Sequence, residues 1–362
     1  MLISKDRITG IDLARGLAFC GMVLVNFHIV MAGFGSADHP IAQLFSSFSG
    51  RAASLFVMLA GVGIALRWNR ASEEKKPAIR RSTIYRALFL LVCGYLLQAL
   101  TWDGDILHYY GVYLLLTIPL LRLRSRWLLL IALLIVAIYI GLTQWIPWFR
   151  GWRLMTLSYP EFWEPIGQIR NLFYNGWHPV FPWLSFLLVG CCVGRLNLSS
   201  WKTALSLLIG GCLLALLAIE VSELAQQWRK DHAVANFFDP TLSLLKTESL
   251  PPGPFFVLSA CGSGMALIGI SLLMARAPRL MHQLLVQPFV VVGRRAFSLY
   301  ILHVIVLMQF WGRLNELGSA NSKTVGYWWL GMILTSMAGS LLLEYKQLRG
   351  PAEWAMRRLC DR

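Results

Sequence analysis

Histidine is the side chain best suited to proton transfer near neutral pH, and five of the seven histidines occur in similar settings. Each lies at or near one end of an apolar segment, and the five segments are far apart in sequence. They are His28, His39, His108, His178 and His303. Ionisable groups are costly inside a membrane. Five histidines at the outer ends of predicted membrane helices therefore favour a shared polar cavity. We expect two or three of them to line it.

Asp105 and His108 form an acid–base pair at the start of a predicted helix. Their i, i+3 spacing allows the carboxylate to orient the imidazole and to raise its basicity, which suits general-base chemistry. An aspartate at a helix start is explained equally well as an N-terminal cap. His39 follows Asp38 in a predicted loop, where a histidine between Asp and Pro40 is also common in simple turns.

Two predicted helices carry polar residues in phase. Arg15 and Asn26 are eleven residues apart, close to three helical turns, so they share one face at a separation of about 16 Å. Tyr300 and His303 share a face of a later helix, where they either line a cavity or bind a neighbouring helix. Two further residues are assigned to the predicted substrate cavity: His178 and Arg51.

The amino-acid composition indicates which kind of secondary structure positions these residues. Of the 362 residues, 57% are hydrophobic and 14% are charged, and the mean hydropathy is +0.58. Soluble domains average roughly 25% charged residues, so this composition indicates lipid as the main solvent. A helix needs about 20 apolar residues to cross a bilayer. Ten segments qualify, near residues 11–33, 52–69, 83–101, 106–122, 127–147, 178–195, 201–222, 253–275, 289–311 and 325–345.

The predicted fold is an all-α, polytopic integral membrane helix bundle of about ten transmembrane helices. We expect residues 1–350 to form one transmembrane domain and residues 351–362 to form a cytoplasmic tail. With the N-terminus inside, 24 of the 33 Lys and Arg residues fall on the inner side, so both termini are predicted to be cytoplasmic. The net charge of +15 is spread over short loops, which argues against a nucleic-acid partner.

The remaining motifs exclude several other classes of chemistry. The seven cysteines show no CxxC spacing, so neither a metal site nor a disulfide framework is expected. No GxSxG, P-loop, HExxH or dinucleotide-binding motif stands in a suitable context. Chemistry by histidine, aspartate and asparagine therefore remains.

Several stretches resemble a known family in their order and spacing. They are residues 7–16 (RITGIDLARG) followed by Asn26, residues 55–61, 106–108 and 293–303, with a similar fifth stretch at 178–195. The arrangement resembles the membrane acyltransferases related to heparan-alpha-glucosaminide N-acetyltransferase, with the YeiB-like proteins as close relatives. The resemblance runs from residue 7 to about residue 303, nearly the whole chain.

The resemblance implies transfer of an acyl group, usually acetyl from acetyl-CoA, to an amine or hydroxyl of an acceptor at the extracytoplasmic side. The acceptor would be a sugar, a glycan or a lipid-linked compound. In this family a histidine soon after the first helix is taken as catalytic, and His39 lies at roughly that place. The wider superfamily has a histidine eleven residues after the helix-one arginine, where this chain has Asn26.

These considerations predict specific roles. Arg15, Arg294 and Arg295 would hold the phosphates of acyl-CoA, because guanidinium groups bind oxygens in pairs. His39 would deprotonate the acceptor or carry the acyl group, and Asn26 would stabilise the oxyanion. Asp105 and His108 would support the site. Direct transfer and a ping-pong route both remain open, and no metal is expected.

Two other functions compete with the enzyme. Intramembrane His, Asp and Arg also form proton relays and substrate pathways, so a proton-coupled transporter or flippase of a polar or lipid-linked substrate is the main alternative. A non-catalytic membrane scaffold is the third. We rank the acyltransferase first and expect it in a bacterial inner membrane, in contact with lipid, with a homodimer left open.

Overall fold

The computed structural model describes residues 7–33, 48–153, 156, 158–231, 240–312 and 318–361. Within these ranges the regular elements are helical, and two isolated bridges are the only β-type pairings. The principal helices are α1 Thr9–Ala32, α2 Arg51–Asn69, α3 Lys76–Leu100, α4 Leu107–Thr117, α5 Ser125–Trp145, α6 Pro165–Arg170, α7 Val180–Val193, α8 Trp201–Asp231, α9 Pro240–Leu245, α10 Pro254–Met274, α11 Gln287–Arg294, α12 Ala296–Ile305, α13 Ser322–Tyr345 and α14 Pro351–Cys360.

Seven of these helices are long and apolar enough to cross a bilayer: α1, α2, α3, α5, α8, α10 and α13. Two bent pairs raise the number to nine if each pair makes one crossing. The first pair joins α6 to α7 with a bend of 47°, and the second joins α11 to α12 with a bend of 77°. The chain is therefore an integral membrane protein.

The predicted count of ten crossings is not confirmed by helix length. The predicted segment near 106–122 is the short helix α4, followed by a 3₁₀ turn at Ile118–Arg122. The 11 residues of α4 are too few for an unaided crossing. Proline at the second position of the turn explains the end of α4, because Pro119 cannot continue the hydrogen-bond ladder.

The chain forms two compact units. The first consists of Met1–Phe56, Leu198–Leu208 and Leu267–Arg362, and the second of Val57–Asn197 and Ile209–Ala266. In the first unit α1 packs against α11, α12 and α13. The backbone of residues 318–320 lies beside the end of α1, where Gly318 and Ala320 donate N–H groups to the carbonyls of Val30 and Met31 at 3.1 and 2.8 Å.

Glycines allow α1 and α11 to touch backbone to backbone. A Cβ atom at Gly293 would lie 1.9 Å from the carbonyl oxygen of Asp12, and one at Gly16 would lie 2.1 Å from that of Phe289. Small residues at such crossings let membrane helices pack closely, because no side chain separates the two backbones.

Replacing Gly293 with alanine is expected to lower the stability of the protein by roughly 1–3 kcal/mol, because the added methyl group forces α1 and α11 apart. The measurement is the thermal unfolding midpoint in detergent. Gly339→Ala in α13 is the matched control, since a Cβ at Gly339 meets no atom within 4 Å. Equal midpoints for the two variants would contradict the close crossing.

In the second unit, α3 packs on α4 and α5 packs on α7. Gly61 and Gly190 allow α2 and α7 to pack closely. A Cβ at Gly61 would lie 2.1 Å from the carbonyl oxygen of Leu187, and a Cβ at Gly190 would lie 2.0 Å from that of Met58. Arg195, just after α7, donates hydrogen bonds to the carbonyls of Leu123 and Leu121 at 2.6 and 3.0 Å. Leu121 lies in the 3₁₀ turn and Leu123 follows it, so Arg195 fixes where the α4 segment ends.

The C-terminal residues predicted as a tail contain a helix. Pro351–Cys360 form α14, which packs against α12 of the first unit. Glu353 on α14 is bonded to the start of α12. The cytoplasmic location of this helix stays a prediction.

Candidate functional site

In the first unit, the second half of α1 and the last turn of α12 bring Asn26 and His303 together. Asn26 Nδ2 lies 3.0 Å from His303 Nε2, although the two residues are 277 positions apart in sequence. Phe19 packs edge-on against the imidazole at 6.0 Å, and Tyr300 packs against it at 5.1 Å between ring centroids. His303 is fully buried. Three of the residues singled out from helix phase, Asn26, Tyr300 and His303, thus meet at one place.

The second ring nitrogen of His303 is the atom available for chemistry. Nδ1 is buried and has no hydrogen-bond partner among the described residues. If the Asn26 amide donates to Nε2, the neutral ring carries its proton on Nδ1. If the amide is turned so that its oxygen accepts from Nε2, Nδ1 becomes a proton acceptor. In both states the asparagine fixes the ring and leaves Nδ1 for a ligand.

A cluster of charged residues lies at the opposite end of α1. Asp12, buried near the helix start, accepts hydrogen bonds from Arg7 Nη2 at 2.9 Å and from Arg15 Nη1 at 3.1 Å. Arg294 Nε lies 3.5 Å from the Asp12 carboxylate, and Arg294 Nη1 donates to Glu344 at 2.5 Å. Arginines therefore outnumber carboxylates at this end of the first unit, which suits an anionic ligand.

The three arginines predicted to bind acyl-CoA differ in their freedom to do so. The side chain of Arg15 is 28% exposed, whereas those of Arg294 and Arg295 are 13% and 5% exposed. Arg295 donates to Glu344 at 3.0 Å and to the carbonyl of Leu348 at 2.7 Å. These bonds give Arg295 a role inside the protein, and Arg15 is the best placed of the three to meet a phosphate.

In the second unit, Asp105 and His108 form the predicted pair at the start of α4. Asp105 Oδ2 accepts from the backbone N–H groups of Leu107 and His108 at 2.8 and 3.2 Å, and it lies 3.2 Å from His108 Nδ1. The carboxylate therefore caps the helix and orients the imidazole at once. Gly94 on α3 makes room for the pair, since its Cβ would lie 2.2 Å from the His108 nitrogen.

The imidazole of His108 packs against three aromatic rings. Tyr109 and Tyr95 lie 3.9 and 5.5 Å from it between centroids, and Phe162 lies at 5.6 Å. His178 packs on the other side of Tyr109 at 5.9 Å. His108 Nε2 and His178 Nδ1 are both buried without a hydrogen-bond partner among the described residues.

Sequence reasoning missed a polar network beside this pair. Tyr109 donates to Asn171 Oδ1 at 2.5 Å, and Tyr159 donates to Asn175 Oδ1 at 2.9 Å. Arg170 in turn donates to the Tyr159 oxygen at 2.7 Å. Both asparagines lie in a π-helical turn at the bend between α6 and α7. Two asparagines within five residues before a Gly–Trp–His–Pro break were the available signal, because bends leave backbone groups that amides can satisfy.

Three acidic residues were also missed. Asp103, between α3 and α4, accepts from the backbone N–H of Tyr159 at 3.4 Å, and burial raises the pKa of its carboxyl. Glu344 and Glu353 bind the α11–α12 region of the first unit. A glutamate late in an apolar helix was the signal for Glu344, since such a charge needs a partner.

The other predicted residues fall in different places. His39 lies outside the described residues. Arg51 is the first residue of α2 and is half-buried. The next residue, Ala52, packs close to Gly21 of α1. His28 is buried on α1, two residues beyond Asn26.

Comparisons with known proteins agree with the order of these segments. A family model described as heparan-alpha-glucosaminide N-acetyltransferase, catalytic, matches residues 7–211, more than half of the chain. A model of a protein family of unknown function, DUF418, matches residues 253–362. The uncharacterized protein YxaH of Bacillus subtilis (strain 168) is 28% identical over 127 residues, which are 30% of this chain and 31% of YxaH. The match thus spans about a third of the length of that relative.

Proposed function

Because the chain belongs to the heparan-alpha-glucosaminide N-acetyltransferase catalytic family, we propose that it transfers an acetyl group from cytoplasmic acetyl-CoA to an acceptor at the extracytoplasmic side of a bacterial inner membrane. The acceptor presents an amine or a hydroxyl, as sugars, glycans and lipid-linked sugars do. The observation that carries the proposal is the pairing of Asn26 with His303 inside the first unit.

The pairing supplies two of the functions that acetyl transfer requires. The acceptor atom attacks the thioester carbonyl, its proton passes to a base, and the thiolate leaves with a proton. An imidazole with an available nitrogen serves as that base, and we assign this role to His303 Nδ1 or to His39. With the Asn26 amide turned so that its oxygen accepts from Nε2, Nδ1 is unprotonated and can act as the base, and both amide N–H donors are free to stabilise the developing oxyanion.

The charged cluster at the start of α1 supports the donor part of the proposal. Arg15 is partly exposed and lies about 16 Å from Asn26 along the helix, at 1.5 Å per residue. The phosphate groups of acetyl-CoA would then lie at the Arg15 end of α1, and its thioester at the Asn26 end. Asp105, His108 and His178 belong to the second unit and stay proposed functional residues within it.

The ion pairs of the first unit also bear on orientation. Arg294 pairs with both Asp12, near the start of α1, and Glu344, near the end of α13. These pairs support a first crossing that begins, and a last crossing that ends, on the same side of the membrane, as an even number of crossings would give. Within the described residues, seven long helices and two bent pairs make nine candidate crossings. The α4 segment with its 3₁₀ turn is roughly 26 Å long and would supply the tenth.

This parity supports both termini lying in the cytoplasm, together with the excess of Lys and Arg on that side. In that orientation the charged cluster at the start of α1 faces the acyl-CoA pool, and Asn26 and His303 lie towards the extracytoplasmic side. The transferred group, rather than the whole donor, then crosses the membrane.

The test is acetyl transfer by the purified full-length protein in detergent. Acetyl-CoA with a labelled acetyl group is supplied with a panel of amino- and hydroxyl-bearing sugars, and His39→Ala is assayed beside the wild type. We expect label in a sugar product, with transfer reduced in the variant. Mild alkali distinguishes the products, since an ester loses the label and an amide retains it.

His282→Ala is the matched control, because His282 lies before α11, on the other side of the α11–α12 break from His303. It should retain wild-type transfer. Protein that binds no acyl-CoA and labels no acceptor would contradict the acetyltransferase. Transfer that survives in His39→Ala would assign the base to His303.

A further inference from the structure

The C-terminal match to a family of unknown function contributes directly to the proposed site. Asn26 belongs to the segment matched by the acetyltransferase model, whereas His303 belongs to residues 253–362. Both residues lie in the first unit, and they are in hydrogen-bond contact. The reacting centre is therefore composite, and the position of α12 decides whether His303 reaches Asn26.

The start of α12 is held by a carboxylate from α14. Glu353 Oε1 accepts from the backbone N–H groups of Phe297 and Ser298 at 2.8 and 3.1 Å. Glu353 Oε2 accepts a hydrogen bond from the Ser298 hydroxyl. The same hydroxyl oxygen accepts from the backbone N–H of Ala352 at 3.0 Å. Four hydrogen bonds thus join the first turn of α12 to the first turn of α14.

A carboxylate is well suited to this position. The chain breaks at Arg295 and turns by 77°, so α12 begins with N–H groups that lack partners in the preceding helix. A negative charge there satisfies these donors and interacts favourably with the positive end of the helix dipole. No side chain adjacent in sequence caps α12. The cap comes instead from a residue 55 positions later.

A second contact fixes the other side of the break. Arg295 donates to Glu344 at the end of α13 and to the carbonyl of Leu348 in the connection to α14. His303 lies seven residues beyond the start of α12, about 10.5 Å along the helix. The start of α12 is therefore held on both sides of the break. These contacts oppose a rotation or shift of α12, which would carry His303 away from Asn26.

We propose that the C-terminal segment acts as a clamp, in which the Glu353 carboxylate holds the start of α12 and thereby positions His303 against Asn26. Glu353 is a positioning residue, because it acts through α12 and does not touch the reacting atoms. The inference rests on the proposed acetyl transfer for its kinetic consequence. Its structural consequence, the placement of the His303 ring, is independent of that reaction.

The test compares Glu353→Ala with Glu353→Gln and Ser298→Ala in the full-length protein. Displacing a catalytic group by about 1 Å costs up to roughly 100-fold in rate, so we expect kcat of Glu353→Ala to fall at least about tenfold. The KM for acetyl-CoA should stay within about twofold, because Arg15 is untouched. Glu353→Gln should retain most of the activity, since the amide oxygen still accepts a backbone hydrogen bond.

A chemical readout measures the clamp without any turnover. Diethyl pyrocarbonate modifies accessible imidazoles, and mass spectrometry gives the rate at each histidine. We expect His303 to react slowly in the wild type and faster in Glu353→Ala, with His282 reacting equally in both. Glu74→Ala is the control, because Glu74 is an exposed glutamate. It should change neither rate.

The outcomes separate the two proposals. If the wild type transfers no acetyl group, the proposed function fails, and the labelling of His303 still decides the clamp. If Glu353→Ala does not fold, Ser298→Ala, which removes two of the four hydrogen bonds, provides the comparison. A folded Glu353→Ala with unchanged kcat and unchanged His303 labelling would overturn the inference. So would a lower unfolding temperature with kcat and labelling unaltered, because that result describes a purely structural cap.

Discussion

Replacing His303 with alanine is expected to lower kcat for acetyl transfer by about 10²–10⁴-fold, the range that a positioned general base contributes. The imidazole is fully buried, fixed by Asn26 at 3.0 Å, and retains a second nitrogen without a partner among the described residues. Steady-state kinetics with labelled acetyl-CoA measure the effect. The KM for acetyl-CoA should change little, because His303 lies at the far end of α1 from the arginines.

A double-mutant cycle with Asn26→Ala tests whether the two residues act as one unit. Each single variant should lose most of the activity, and the double variant should lose little more, because either change disrupts the same arrangement. His282→Ala again provides the comparison within the first unit. Losses that multiply would show that Asn26 and His303 act independently, and a His303→Ala enzyme with wild-type kcat would remove His303 from the mechanism.

The positions of the long helices could be predicted from sequence because lipid imposes a composition on them. The predicted segments 11–33, 253–275 and 325–345 correspond to α1 Thr9–Ala32, α10 Pro254–Met274 and α13 Ser322–Tyr345. A spanning helix must be apolar over a fixed length, so a window of hydrophobicity is sufficient. The predicted segments 178–195 and 289–311 cover α7 and α11–α12, but the breaks in the two bent pairs were not predicted, since they depend on partners elsewhere in the chain.

Local spacing predicted one polar pair, and helix phase predicted the residues around another. Asp105 and His108 are three positions apart, so a single helical turn brings them together. Asn26 and His303 were each selected, but their contact required knowledge of which faces of α1 and α12 meet. Part of that information lies in how α1 crosses the neighbouring α11, as at Gly16 and Phe289, which no periodicity in one helix reveals.

The roles of charged residues were the least predictable feature. Arg294 and Arg295 are adjacent and basic, which suggests a phosphate site, yet both are bonded to Glu344 from α13. A buried arginine needs a carboxylate, and the sequence does not reveal which carboxylate is near it. Glu353 shows the same limit, because its partners are backbone N–H groups 55 and 56 positions earlier.

Asp12 is expected to be the most sensitive single residue for stability. Its carboxylate is 4% exposed and serves Arg7, Arg15 and Arg294 together. Removing one partner from a buried ion pair typically costs about 3–5 kcal/mol, because the opposite charge is left without compensation. Asp12→Ala should therefore unfold at a markedly lower temperature than the wild type in detergent, and less folded protein should be recovered.

Two further variants identify charge as the cause of the Asp12 effect. Asp231→Asn, at the exposed end of α8 where the carboxylate meets only Gln227 among the described residues, should leave the unfolding midpoint unchanged. Asp12→Asn keeps the shape and an acceptor oxygen but loses the charge, so it should resemble Asp12→Ala more than the wild type. Because Arg294 joins Asp12 to Glu344, the loss should also loosen α13 from α1. A wild-type midpoint for Asp12→Asn would mean that hydrogen bonding alone holds this cluster of arginines together.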